Sequence, residues 1–126
     1  MFLGSLSNTA MEKAMSGLWQ RQRAINHNIA NEDTPGYKAK RVDFETSLRQ
    51  ELRNLRTENV SARESISRLR RLNPTEYELE GLNGRIDENN VDLDSEYIEM
   101  ARSQIQFNAL EQRVNGYYTN LKYIIS

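Results

Sequence analysis

Few residues in this 126-residue chain are of types that could do chemistry. The one histidine, His27, lies between Asn26 and Asn28 with no acid or cysteine at ligand spacing. It reads as a polar helical residue rather than a catalytic one. Cysteine is absent, which removes disulfides, thiol catalysis and most zinc sites together. The acids Asp87, Asp92, Asp94 and Glu96 suggest a calcium loop at first glance. A loop of that kind starting at Asp87 needs glycine at position 92 and glutamate at position 98, where the chain has Asp92 and Ile98. Helix-start chemistry accounts for these acids instead, because anions are favoured in a helix's first turn. No Ser/His/acid set, glycine-rich phosphate loop or zinc spacing occurs. The sequence therefore predicts no enzyme, no cofactor and no metal site.

The cations are patterned but not obviously for nucleic acid. Arg49, Arg53 and Arg56 fall on one helical face, and Arg68, Arg70 and Arg71 cluster further on. No aromatic residue interleaves with them between Phe44 and Tyr77, so a surface for stacking single-stranded bases is not supported. Residues 38–71 hold ten Lys/Arg against five Asp/Glu, and residues 72–100 hold one against nine. A balance of +5 beside −8 suits a chain that meets copies of itself or a patterned neighbour, whereas uniform polyanion binding favours an excess of one sign.

What must position these residues is a small, wet chain. Hydrophobic residues make up 37% and charged residues 28%, and one domain with a thin core is all the length allows. No apolar run approaches the ~18–20 residues that span a bilayer, so an integral membrane protein is not expected. The start, Met1-Phe2-Leu3-Gly4-Ser5, has neither the basic region nor the apolar stretch of a secretory signal.

Two prolines, Pro35 and Pro74, divide the sequence, and long periodic segments lie outside them. At the C-terminal end Leu93, Met100, Phe107, Val114 and Leu121 are spaced by seven and all apolar. Their companion row is read as Tyr97, Gln104, Glu111, Tyr118 and Ile125. Asp92 is a plausible N-cap, and a helix over the remaining 34 residues would be about 51 Å long. At the N-terminal end Met11, Leu18 and Ile25 repeat by seven, with Met15, Gln22 and Ile29 as the second row. Ser7 or Asn8 could cap that helix, which runs to about Asn31. A 3.5-residue repeat predicts a coiled-coil-like seam, which two helices alone would hold only marginally. Between them, Phe44, Leu48, Leu52 and Leu55 predict a short helix from about Asp43 to Arg56. Ser61-Ala62-Arg63-Glu64 fits a capping box ahead of Ile66, Leu69 and Leu72. Residues 73–90 read as irregular. The expected class is all-α: an N-terminal axial helix over 1–31, a turn region over 32–43, a middle segment over 44–90 and a C-terminal axial helix over 91–126.

One run carries more than local information: Asn28-Ile29-Ala30-Asn31-Glu32-Asp33-Thr34-Pro35-Gly36-Tyr37-Lys38. Pro35 disfavours helical geometry at Thr34, Pro-Gly suits the middle of a type II turn, and Tyr37 can anchor the returning chain. Asn-Ile-Ala-Asn followed by Thr-Pro-Gly-Tyr-Lys, directly after a long amphipathic helix, resembles the signature of bacterial flagellar rod and hook proteins. A second match, Asn89-Asn90-Val91-Asp92-Leu93-Asp94-Ser95-Glu96, opens the C-terminal helix. With Arg41-Val42-Asp43-Phe44, the combination looks most like the proximal rod proteins of the FlgB family. The resemblance covers the two terminal regions, about 80 residues, and fades across 57–86. Glu88 stands where that family usually has glycine.

The resemblance implies a structural subunit of the flagellar rod, the drive shaft in the periplasm, that transmits torque from the membrane ring to the distal rod and hook. It implies export by the flagellar type III system and self-assembly through the terminal helices. Implied partners are the chain itself, other rod proteins, a rod-adaptor protein of the FliE type, the membrane ring and the export gate, and no nucleic acid. The assembly seam would be Met11, Leu18, Ile25, Ile29, Leu93, Met100, Phe107, Val114 and Leu121. Two alternatives come from other classes. A helical secretion cofactor or chaperone would share the seams without needing the Asn-Ile-Ala-Asn turn, and a small nucleic-acid binder would use the basic 38–71 stretch.

Overall fold

A 29-residue helix, α1 (Phe2–Ala30), is the axis on which the other elements are laid. The computed structural model describes residues 2–80 and 87–125, with their side chains except those of residues 2–5, 121 and 125. After α1 come β1 (Lys40–Asp43), α2 (Glu45–Thr57), α3 (Ala62–Arg70), β2 (Thr75–Glu78) and α4 (Leu93–Ile125). The side chain of Leu121, and Gly81, Asn83 and Gly84 of the stretch read as irregular, lie outside what is described.

α1 starts earlier than its polar residues suggested. Neither Ser7 nor Asn8 caps it: the helix is already formed at Phe2, and the Asn8 amide donates to Glu12 Oε1 at 3.2 Å. Its C-terminal end is where the sequence puts it, with Asn31 N–H closing onto His27 and Asn28 carbonyls.

α2 and α3 follow their local signals. Asp43 Oδ1 accepts from Thr46 N–H at 3.1 Å, capping the entry to α2. At the other end Asn59 takes φ 52° and Val60 N–H reaches Leu55 O. That is the left-handed C-terminal cap, which asparagine tolerates better than most residues. Ser61 Oγ accepts from Glu64 N–H, half of the expected capping box, and α3 runs on from there to bury Leu69 completely.

The all-α expectation is corrected by a small sheet. β1 and β2 pair antiparallel, with Arg41 opposite Tyr77 and Val42 opposite Glu76. β2 falls inside the stretch read as irregular, and β1 inside the turn region. Four residues leave no periodic pattern to read, and such a ribbon forms only because packing brings its strands together. The chain is mostly helical with one two-stranded ribbon.

α4 runs antiparallel to α1. Glu96 at its start meets Asn28 at the end of α1, and Gln106 further along accepts from Arg21. Leu93, Met100, Phe107 and Val114 are all half-buried. The companion row is not the expected one. Tyr97, Gln104, Glu111 and Tyr118 are exposed, while Glu96 and Ser103 are buried and Leu110 and Tyr117 half-buried. The inward row lies three residues after the first rather than four. Its leading members are polar, so a search for apolar spacing passes over it. Ser103 Oγ is buried there with no hydrogen-bond partner.

The core gathers where α1 meets the middle segment: Leu18, Ile25, Val42, Phe44, Leu55 and Leu69. Gly17 makes this possible. A Cβ at that position would lie 2.3 Å from Phe44 Cγ and 2.4 Å from Cδ1, so the ring packs directly on the helix backbone. Beyond Ser103, no described side chain of α4 is buried.

Candidate functional site

The two sequence motifs meet at the end of α1 and form one hydrogen-bonded clasp. Its centre is Asn28, fully buried on the last turn of α1. Its amide donates to Lys40 O at 2.9 Å and to both Glu96 carboxylate oxygens at 2.9 and 3.2 Å. Its carbonyl oxygen accepts from Lys40 N–H at 2.9 Å and from the Tyr37 hydroxyl at 3.0 Å. One side chain thus pairs with a strand backbone, a phenol and a carboxylate, in a place where an unmet polar group would cost about 1–3 kcal/mol. Leucine would fit the helix but could make neither kind of bond, and serine has one donor where asparagine has two.

Glu96, 1% exposed in its side chain, is held from the other side by Arg41 at 2.6 Å. Burying a carboxylate is tolerable only when it is paired and hydrogen-bonded, and Asn28 and Arg41 together meet that condition. Burial raises the Tyr37 phenol above its ordinary value, reinforced by the charges of Glu96, Glu76 and Glu78. It therefore stays protonated and donating across the physiological range.

The turn itself is type II. Tyr37 N–H bonds Thr34 O at 3.2 Å, Pro35 sits at the second position, and Gly36 has φ +77°. Asn31 holds its start, donating to His27 O at 2.8 Å and accepting from Thr34 Oγ1 at 3.0 Å. The second motif then locks it. Asn89, fully buried, donates to Asn31 O and Thr34 O at 2.8 and 2.7 Å, and accepts from Val91 N–H. Asn90 accepts from Ala39 N–H at 2.6 Å, donates to Leu79 O at 2.7 Å, and its own N–H bonds Tyr37 O. Gly36 N–H bonds Asp87 O, and Lys38 Nζ bonds Glu88 O. Asp92 then caps α4, accepting from Asp94 and Ser95 N–H groups and from Ser95 Oγ.

Of the motif residues named from sequence, Asn28, Asn31, Thr34, Gly36, Tyr37, Asn90 and Asp92 bond within this clasp, as above. Val91 is buried beside it, Ile29 is half-buried, and Ala30 and Pro35 are exposed. Asn89 and Glu96 stood in the second motif, but Glu96 was read as a dipole-favoured acid of the first turn. It is instead the buried link between α4 and the rest. Its position three residues after Leu93, on the inward face, is the signal that was available.

Arg21 was missed altogether. Its guanidinium donates to Val42 O at 2.7 Å, to Glu45 at 2.5 and 3.0 Å, and to Gln106 Oε1 at 3.2 Å, and lies 4.8 Å from the centre of the Phe44 ring. It ties α1 to β1, α2 and α4. Burial works to raise the Glu45 carboxyl, but the Arg21 hydrogen bonds and charge, with local backbone N–H groups, bring it below its ordinary value.

Nothing in this arrangement presents a nucleophile with a base. His27 is exposed on α1. Asp92, Glu96 and Asp87 are turned to capping, pairing and the turn, and no group of three or more potential metal-binding side chains gathers among the described residues. No helix among them is long and apolar enough to cross a membrane. What the arrangement can do is mechanical. It fixes the angle between two long helices, whose far ends bury little.

No family model matches the chain. It is similar to proteins named flagellar basal body rod protein FlgB. The one from Bacillus subtilis is 36% identical, over all of this chain and 96% of that protein. The one from Proteus mirabilis is 32% identical over 85% of each, and the one from Escherichia coli 28% identical over 83% of this chain and 85% of that protein. Agreement at this level along the whole length, in a chain whose two motifs close on each other as one clasp, shows that it belongs to the FlgB family of flagellar basal body rod proteins.

Proposed function

We propose that this chain is a structural subunit of the flagellar basal body rod, with no enzymatic role, and that it packs through its two long helices to carry torque. The observation that carries the reading is the contrast between the two ends of the helix pair. At the clasp every motif asparagine both donates and accepts through its side chain. At the far end Met11, Met15, Trp19, Val114 and Tyr118 line an open groove of about 510 Å³. Trp19 is 63% exposed there, and Ile98 and Ile105 are bare on the outer face of α4. Apolar surface of that extent on a small chain marks a site that other protein covers. The proximal position in the rod, location in the periplasm and delivery by type III export are part of this proposal. So are contacts with a FliE-type adaptor, the membrane ring and the export gate. They rest on the kinship with FlgB proteins and on the turn motifs.

The seam reading is tested by neighbours on α4. Phe107 is half-buried and Asn108, one position round, is exposed. Phe107→Asp puts a charge into a packed seam, costing several kcal/mol unless the helix rotates. Asn108→Asp adds the same charge to a solvated face. In cells whose own gene is deleted, the first variant is expected to abolish swimming and basal bodies counted by electron microscopy, and the second to preserve both. Equal behaviour of the two variants, with both proteins made, would defeat the seam.

A further inference from the structure

The charge reversal along the sequence becomes two separate surfaces in the fold. On one, Arg63, Arg70 and Arg71 of α3 border an open groove of about 700 Å³, closed by Asn8 of α1 and Tyr117 of α4. All three arginines are exposed. Arg71 has a 3.6 Å pairing with exposed Glu64, and Arg63 and Arg70 have no ion pair among the described residues. Arg68 on the same helix differs, being held by Glu51 and Glu58 at 2.6 Å each. Two of the groove's three cations are therefore unpaired among the described residues, and the third is held only by an exposed pair.

On the other surface, all four residues of β2 are exposed, and β2 is bonded to β1 alone in its sheet. Glu76, Glu78 and Glu80 are exposed on and just after it with no ion pair among the described residues. An outer strand with charged side chains is protected from indiscriminate pairing but open to a matched surface.

The two surfaces cannot meet within one molecule. The groove lies beside Asn8 and Thr9, whereas Glu76 lies beside Gln20, Arg23 and His27 of the same helix. Fifteen residues of α1 separate Thr9 from Ala24, about 22 Å of helix. Both open on nearly the same side of α1, so a second copy turned half a turn to face the first and slid by that distance brings acid to base.

We propose that the α3 groove receives the β2 strand of a second copy, with Arg63, Arg70 and Arg71 facing Glu76, Glu78 and Glu80. This rests on the reading of the chain as an assembling subunit and adds a register to it. Exposed ion pairs are individually weak, so they select partner and stagger while the apolar helix faces hold. The stretch linking α2 to α4 is then a register key.

The absence of cysteine makes a clean test. Full-length chains carrying Ser67→Cys, in the groove, are mixed with chains carrying Glu78→Cys, on the side of β2 that faces it, under mild oxidation. A disulfide needs Cα atoms within about 7 Å, so a mixed dimer reports the docking between copies. Its yield is expected to be roughly tenfold above that with Thr46→Cys in place of Glu78→Cys. It should fall to that control level when the three arginines are changed to glutamate, and return when Glu76 and Glu80 of the other copy are changed to arginine. A yield at the control level, indifference to charge reversal, or failure of the double reversal to restore it would overturn the proposal. Binding of the groove to phosphatidylglycerol vesicles with control-level dimer would likewise overturn it and assign the arginines to a lipid surface. Rods that form normally from the arginine variant would sink the register key alone. The loss of any difference between Phe107→Asp and Asn108→Asp would sink the seam beneath it.

Discussion

Single residues in this protein are spent on fixing a junction, and two of them carry measurable consequences. Glu88 stands in the left-handed region at φ 63°, a conformation that glycine adopts without strain. A non-glycine residue there costs ~1–2 kcal/mol, partly offset by the extra chain entropy glycine loses on folding. Glu88→Gly should therefore stabilise the folded chain by about 0.5–1 kcal/mol in urea unfolding. A loss of stability would mean that the glutamate side chain contributes something unseen. Glu45 carries the second consequence. Its carboxyl is lower in the folded chain than its ordinary value near 4.5, because Arg21 outweighs the burial that would raise it. The unfolded chain therefore takes up protons first as pH falls. The contribution of the pair is complete above about pH 4.5 and is lost as pH drops through the lowered folded value. Glu45→Gln should be less stable than the native chain at pH 7 and lose less on acidification below 4.5. Parallel stability–pH curves for the two proteins would contradict the role given to Arg21.

The elements are held by close approach rather than by bulk, and Gly17 is where this is sharpest. An alanine there would improve helix propensity by about 1 kcal/mol. Its Cβ, however, would lie 2.3–2.8 Å from three Phe44 side-chain atoms. Overpacking of this kind costs ~1–3 kcal/mol, so Gly17→Ala is expected to lower stability by up to about 2 kcal/mol on balance. Removing the ring takes away the Cγ and Cδ1 that stand in the way, so Phe44→Ala should cost less in the Gly17→Ala background than in the native one. A double-mutant cycle with no coupling would show that α1 and the start of α2 do not meet there. The clasp works on the same principle with polar groups, because Asn28 and Asn89 occupy space that only a group both donating and accepting can fill.

At the scale of the whole molecule, order is expected to be graded along the helix pair. Buried residues cluster from Gly17 to Phe44, include Leu55, Ser65 and Leu69, and resume from Asn89 to Ser103, while the described remainder of α4 buries none. Isolated helices are marginal unless a face is packed. Hydrogen exchange on the dilute free chain should therefore find slow amides around Ile25, Asn28, Lys40 and Glu96, and fast ones beyond about residue 104. Protection that is uniform to the end of α4 in a proven monomer would count against the proposed covering of that surface by other subunits.

Local chemistry, which reads off neighbouring residues, was open to sequence. The ends of α2 and α3 follow from Asp43, Asn59 and Ser61, the turn from Pro35-Gly36, and the cap of α4 from Asp92. Each of these needs only a few consecutive side chains and their own backbone. The apolar heptad of α4 was legible for the same reason, since spacing along a helix is a local property. Tertiary structure decided whatever depends on residues far apart in the chain. It made the four-residue strands, which neither sequence window specifies alone. It chose Glu96 and Ser103 over Tyr97 and Gln104 as the inward row, because Asn28 and Arg41 compensate a carboxylate that hydropathy would place in water. It set Phe44 against the bare backbone of Gly17 and made Arg21 a hub for four elements. A buried polar group is stable only through its partners, and partners 55 or 68 positions away do not show in a local pattern.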